Sequence, residues 1–356
     1  MTRTVALTAL MLAGSVQAAT APAPLTALQT LQQFNTVVLT NVKSDSHIDG
    51  RTWIGGSLTG NNSPVFDMHP GDVPASNYAG LTVMGVGVAP GGYAVNNAQV
   101  TDNGTVVYGN TSKLGINNGH SAIYGNTDST DFNGSGSYYV SGTAGSGNHG
   151  VTQITASTFA GSVQETNSLA AGSTNFAGVL GGLSSQLKSL ASTGSTVSIV
   201  GEQANFTAVV KNGVAVFDLT AIDTQLFSNT VKRFSFSGLD GATSVIFNTD
   251  ITSATLADDF LGGAAPNYGA KMIWNFYNAT SLTVQNQFGG SILATKATLT
   301  NNQNIEGGVY VNALDQHAEI HLRAYTGTLP VPEPETYAML LAGLGLIGFM
   351  ARRCRT

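Results

Sequence analysis

The chain has one cysteine in 356 residues, Cys354, close to the C-terminus. A disulfide framework is therefore excluded, and stability must come from a core of ordinary size. Charge is scarce as well: 10 % of residues are charged, against about a quarter in ordinary soluble domains. With 14 Lys and Arg against 20 Asp and Glu, and no basic cluster in the body, the electrostatic footprint of a nucleic-acid binder is missing. Glycine does not recur at every third position, which excludes a collagen-like chain. Nothing resembles a nucleophile elbow, a Walker loop or a dinucleotide fingerprint.

What is present is glycine, 43 residues, with abundant Ser, Thr and Asn and an apolar share of 42 %. The apolar share is enough to bury a core and argues against wholesale disorder. Glycine and asparagine in this quantity predict many turns between short strands, under a neutral, hydroxyl-rich surface. That surface suits a protein working outside the cytoplasm.

Both ends read as export signals. Arg3, the apolar stretch Val5 to Ala13 and the small-residue pattern Val16-Gln17-Ala18 predict a secretory signal peptide over residues 1–18. At the other end, Pro332-Glu333-Pro334 precedes an uncharged run from Thr336 to Ala351, closed by Arg352, Arg353 and Arg355. As a helix this run would span about 24 Å, short of the roughly 30 Å hydrocarbon core, with flanking arginines able to snorkel. The expectation is a short C-terminal transmembrane helix with a cytoplasmic terminus.

The order Pro-Glu-Pro, short apolar helix, arginine cluster resembles the PEP-CTERM sorting signal of Gram-negative bacteria, here over residues 331–356. The resemblance implies recognition and cleavage by an exosortase, after export across and transient anchoring in the inner membrane. It also implies a mature protein at the cell surface or in the biofilm matrix. Cys354 would leave with the tail. The body between residues 19 and 330 then carries net charge −8, from 10 basic and 18 acidic residues.

The body predicts a mainly β domain over residues 25–329. Leu25 to Asn35 reads as a short helix. The near-repeats Val107-Tyr-Gly-Asn110 and Ile123-Tyr-Gly-Asn126 lie 16 residues apart, which suits stacked short strands. Phe176, Val179, Leu180, Leu183, Leu187 and Leu190 follow helical spacing and predict one long embedded amphipathic helix. Phe206, Ala208 and Val210, then Asn212-Gly213, then Val214 and Val216 predict a hairpin with a type I′ turn. Met272, Trp274 and Phe276 share one face of a strand. A parallel β-helix or similar solenoid with that helix embedded is the expected fold, and a β-sandwich is its competitor.

Two groups of segments carry a second resemblance. The first is Phe34-Asn35 to Leu39, Ser46-His47-Ile48-Asp49-Gly50-Arg51 and Ile54-Gly55-Gly56. The second is Ile273-Trp274-Asn275-Phe276, Gly290 to Ala294, Ile305-Glu306-Gly307-Gly308-Val309 and Glu319-Ile320-His321-Leu322. Their order and spacing resemble the choice-of-anchor A domain, a bacterial extracellular adhesive module, over roughly residues 30 to 327. Thr295 stands where that family often has proline. The resemblance implies surface adhesion and supplies no catalytic residues.

Candidate chemistry is sparse. His317, Glu319 and His321 alternate, so on a strand they would share a face and offer two imidazoles and a carboxylate to a metal, with no fourth ligand indicated. Ser129, Asp131, Asn133 and Gly134 mimic part of a calcium loop whose twelfth position is Val140, not an acid. Asp45 and Asp49 flank His47, an acid–base pattern that Asp49-Gly50 explains equally as a turn. Tyr138, Tyr139, Tyr310 and Tyr325 are candidates for stacking on sugar rings.

The expected function is that of a secreted, exosortase-processed adhesin, not an enzyme, binding exopolysaccharide, cells or a surface, without nucleic acid. Two alternatives stand beside it. A polysaccharide lyase or hydrolase needs acidic and basic residues converging on one face. An ice-binding protein needs flat Thr-x-Thr ranks on successive strands, of which Thr298-Leu-Thr300 is one.

Overall fold

The computed structural model describes residues 23–160, 170–329 and 344. The signal peptide, the Pro-Glu-Pro motif with its arginines, and all of the expected C-terminal helix except Leu344 lie outside the described residues. No helix among the described residues is long and apolar enough to cross a membrane.

The domain is mainly β and its strands pair almost throughout in parallel. The chain visits three ladders in turn. The first contains Thr36–Val38, Thr52–Ile54, Leu81–Val83, Thr105–Val107, Ser121–Ile123 and Ser137–Val140 in succession. The second contains Val42–Ser44, Leu58–Gly60, Tyr93–Val100 and Asn110–Ile116. The third is narrower: Ile48, Phe66, Val100, Ile116 and Phe132 follow one another. Inward positions are apolar because each strand turns one face to a shared interior. Val38, Ile54, Val83, Val107 and Ile123 form one such buried column.

The 16-residue near-repeat is one step of this stacking, since Val107 pairs with Ile123. Its asparagines cap the step below: Asn110 Oδ1 accepts from Asn126 N at 2.9 Å, and Asn126 Oδ1 from Thr143 N at 2.8 Å. The glycine of the repeat follows from the same crowding. A Cβ on Gly125 would stand 2.4 Å from the carbonyl of Gly109.

The order of strands is not the order of the sequence. Thr36–Val38 pairs with Thr52–Ile54 on one side and with Val309–Gln316 on the other. Beyond it the first ladder continues through Ser291–Asn301, Met272–Phe276, Ser244–Thr249 and Val214–Asp218. The N-terminal strands thus begin in the middle of the stack and run outward, while the later strands approach from the far end. Aromatics fill the interior of that later part. Trp274 stacks on Phe247 with centroids 3.9 Å apart, and Phe247 on Phe217 at 4.9 Å.

The embedded helix spans Phe176–Lys188, opened by Asn175, whose side chain accepts from Gly178 N. It lies on the outer side of the first ladder. Phe176, Leu180, Leu183 and Leu187 bury against Val37, Trp53, Leu293 and Tyr310. Asn275 fixes it by accepting from Ser184 Oγ at 2.6 Å and donating to Ser184 O at 2.9 Å. The N-terminal helix is Ala27–Gln33, with Thr26 and Gln29 forming a capping box.

The expected hairpin around Asn212-Gly213 is corrected by the structure. Both residues have positive φ and Lys211 bridges Val214, so the tight turn exists. The flanking strands, however, part into different sheets. Gln203–Thr207 pairs antiparallel with Thr196–Val200, whereas Val214–Asp218 pairs parallel with Ser244–Thr249. The β-sandwich alternative is likewise not supported, because the three ladders are parallel and that single pair is the antiparallel exception among the described strands.

Candidate binding face

The second ladder presents the most regular polar surface. Ser253-Ala254-Thr255, Ser281-Leu282-Thr283 and Thr298-Leu299-Thr300 lie on three successive strands in register. Ala254, Leu282 and Leu299 are buried beneath. The flanking hydroxyls therefore form two columns on the outside, at the roughly 4.8 Å repeat of paired strands. One column continues as Thr255, Thr283, Thr300, Asp315, Lys43, Thr59 and Asn96, and closes on the buried Ser112. Every member is polar, and the charged pair Asp315 and Lys43 interrupts the hydroxyls. The other column runs Ser253, Ser281, Thr298 and then Ala313.

A cavity of about 200 Å³ opens at this interruption, lined by Lys43, Asp45, Thr59, Asn61, Asp315 and His317 among others. His317 joins the two acids: Nδ1 is 3.0 Å from Asp45 Oδ2 and Nε2 is 3.5 Å from Asp315 Oδ1. The hydrogen bond to Asp45 holds the His317 pKa above its ordinary value. All three side chains are partly exposed.

A second polar cluster lies on the third ladder. His321 Nδ1 is 2.6 Å from Glu306 Oε1, and Nε2 is 2.8 Å from Glu319 Oε2. Arg323 Nη2 is 3.0 Å from Glu306 Oε2, and Gln287 Nε2 donates to Glu306 Oε1 at 2.7 Å. The bond to Glu306 raises the His321 pKa to about 9. Burial would raise Glu306, but the hydrogen bond and charge of His321 keep it below the usual carboxylate range.

These contacts divide the expected triad of His317, Glu319 and His321. His317 and His321 belong to different clusters, with the ring of His317 between Asp45 and Asp315 and that of His321 between Glu306 and Glu319. No group of three His, Cys, Asp or Glu suited to a metal occurs among the described residues. The calcium-like residues are also committed to their neighbours. Asp131 Oδ1 accepts from Asn148 N and Asn133 Oδ1 from Asn148 Nδ2, both at 2.6 Å. Asp45, His47 and Asp49 point to separate partners: His317, the amide of Val65, and His69 with the amide of Leu322.

The aromatic candidates are corrected as well. Tyr138, Tyr310 and Tyr325 are 4 %, 1 % and 2 % exposed and belong to the core, while Tyr139 is half-buried beside Tyr124. Tyr93, which the sequence did not single out, is 44 % exposed and pairs with Asn110 at the margin of the polar face. The rows were missed too, apart from Thr298 and Thr300. Their signal is the recurrence of Ser-Ala-Thr-Leu, Ser-Leu-Thr-Val and Thr-Leu-Thr-Asn at unequal intervals, which only strand register aligns.

Residues 27–322 match the model of an ice-binding-like adhesive domain. The chain belongs to this family. Residues 330–355 match the PEP-CTERM protein-sorting motif. The ice-binding-like adhesive domain thus ends just before the sorting motif begins. No curated protein and no solved structure matches the chain.

Proposed function

We propose that this chain is an adhesin exported through its signal peptide (residues 1–18), processed by an exosortase at residues 331–356, and displayed at the cell surface or in the biofilm matrix. One observation carries the reading: an adhesive-family domain ending at residue 322 is followed directly by a sorting motif beginning at residue 330. The choice-of-anchor A resemblance, with its pairing of adhesive domain and anchor, supports it. Pro332, Glu333, Pro334 and the arginines 352, 353 and 355 act as the sorting signal, and the apolar run between them as the transient membrane anchor. The adhesive unit is the domain 25–329, wound as a parallel β-helix, and its ligand is exopolysaccharide, a neighbouring cell or a solid surface. The polar face of the second ladder makes the contact. Its strands are fixed by pairing and by the core beneath, so binding orders few side chains.

An enzymatic role is less well supported. Charged groups do converge in the two clusters, but the ring of each histidine lies between two carboxylates. Ice binding keeps one specific observation in its favour, the three aligned Ser/Thr-x-Thr rows.

The test is cell fractionation of the native host. Replacing Pro332 and Pro334 together by alanine is expected to leave the protein unprocessed in the inner membrane. Normal processing and surface display of that variant overturn the sorting assignment. Loss of cell attachment or matrix retention on deleting the protein is the expected functional result.

A further inference from the structure

We propose that the cavity between Asp45, Asp315, Lys43 and Thr59 seats one sugar of an uncharged polysaccharide, whose chain continues over the hydroxyl rows of the second ladder. This rests on the adhesin reading above and assigns its ligand class and anchoring point.

The chemistry of the lining selects the ligand. Asp45 and Asp315 stand beside Lys43 and His317, so the lining holds no large surplus of either sign to draw a polyanion or a polycation. Sugar hydroxyls suit all of these groups, donating to carboxylates and accepting from lysine and threonine. Bonds from a hydroxyl to an ionised partner are the stronger kind. His317 hydrogen-bonds Asp45 Oδ2 and lies 3.5 Å from Asp315 Oδ1, which leaves the second oxygen of each acid for a ligand. The cavity, about 200 Å³, is of the size of a single hexose.

Position argues for a polymer. Asp315 and Lys43 occupy the same column as Thr300 on one side and Thr59 on the other. A chain leaving the cavity towards Thr300, Thr283 and Thr255 meets a hydroxyl at each strand step, a repeat comparable with one pyranose of an extended glycan. Tyr93, on the strand beyond Thr59 on the other side of the cavity, is 44 % exposed and available to a chain extending that way. An ice plane needs the uncharged rows to continue, whereas here they end after three strands, at Ala313 in one column and Asp315 in the other. The cavity also exists only because strands from the two ends of the chain meet: Lys43, Asp45 and Thr59 come from one, Asp315 and His317 from the other.

The experiment is calorimetric titration of the purified full-length chain with cellohexaose, mannohexaose and isomaltohexaose, and with hexagalacturonate as the anionic control. Binding of at least one neutral oligosaccharide is expected, with hexagalacturonate bound at least ten-fold more weakly. Asp45→Asn and Asp315→Asn should each weaken the neutral ligand about ten-fold or more, and Thr59→Val several-fold, at unchanged thermal midpoint for Thr59→Val. Neutral binding that survives all three substitutions overturns the cavity and leaves the adhesin reading standing. Preference for hexagalacturonate overturns the neutral class. No binding to any probe, together with thermal hysteresis lost in Thr283→Val/Thr300→Val, overturns the sugar seat in favour of ice. Normal processing and surface display of the Pro332→Ala/Pro334→Ala variant, by contrast, bear on the adhesin reading alone.

Discussion

Thr36 stands in parallel register beside Val309, so the first strand of the domain is paired with one of its last. The join is reinforced on every side. Ser44 Oγ donates to Gln316 Oε1 at 2.7 Å, Asn35 Nδ2 to Gly307 O at 3.2 Å, and Leu322 N to Asp49 Oδ2 at 3.1 Å. A stack that would otherwise consist of two separate halves becomes one cooperative unit. The candidate sugar cavity and the His321 cluster both sit at this join.

The His321 cluster should make stability depend on pH in a defined sense. The His321 pKa is raised to about 9 from an ordinary 6.5. Its contribution is therefore complete below pH 6.5 and is lost as pH rises through about 9. Glu306 lies below its ordinary 4.5, so its contribution is present above that value and is lost as pH falls further. Urea midpoints between pH 2 and 10 should show both limits. His321→Ala should cost about 1.5–3 kcal/mol at pH 7, the worth of hydrogen bonds to charged groups, and should flatten the alkaline limb near pH 9.

Asp258 should behave in the opposite sense. Burial raises its pKa to about 7, and its Oδ1 has no hydrogen-bond partner. A raised acid favours the folded state when protonated, so stability should fall as pH climbs from about 4 towards 7. Asp258→Asn is expected to remove that fall and to raise the thermal midpoint at pH 8. A lower midpoint at pH 8 would contradict it.

The polar contacts under the embedded helix should be costly to cut. Asn275 Nδ2 donates to Ser184 O and to Asn248 Oδ1, and Asn248 Nδ2 donates to Leu187 O at 2.7 Å. Asn275→Ala strands buried acceptors on the helix and on Asn248, and should destabilise by about 2–3 kcal/mol. Chemical denaturation checks the magnitude. Hydrogen exchange should show the helix Phe176–Lys188 opening before the ladders.

Trp274 closes the aromatic interior, stacked on Phe247, with Nε1 donating to Gly289 O at 2.9 Å. Trp274→Ala should cost about 3–5 kcal/mol, the usual penalty for removing a large buried aromatic. Tyr93→Ala, on the surface, should stay within about 0.5 kcal/mol of the parent. A comparable loss in both variants, measured by urea unfolding, would contradict this division between core and surface.

Several features were legible in the chain itself. Apolar spacing is local, so the stripe Phe176 to Leu187 predicted its helix directly. The Tyr-Gly-Asn repeat gave the length of one stacking step, because asparagine caps the amide one step away and glycine admits the neighbouring carbonyl. The tail reads as a sorting motif because such a motif is contiguous in sequence. The register of distant strands is not local. No pattern near Thr36 announces Val309, and the steps between Ser253, Ser281 and Thr298 are unequal. The rows of hydroxyls, the pairing of Asp45 with His317 and the splitting of the His317, Glu319 and His321 triad were accordingly invisible. The same holds for the tyrosines, since aromatic side chains serve a core and a sugar equally well until burial is known. The sequence by itself determined a β-rich, thiol-poor body ahead of a C-terminal sorting motif. Tertiary structure decided which polar residues share a face, because parallel pairing brings together strands that chain order keeps apart.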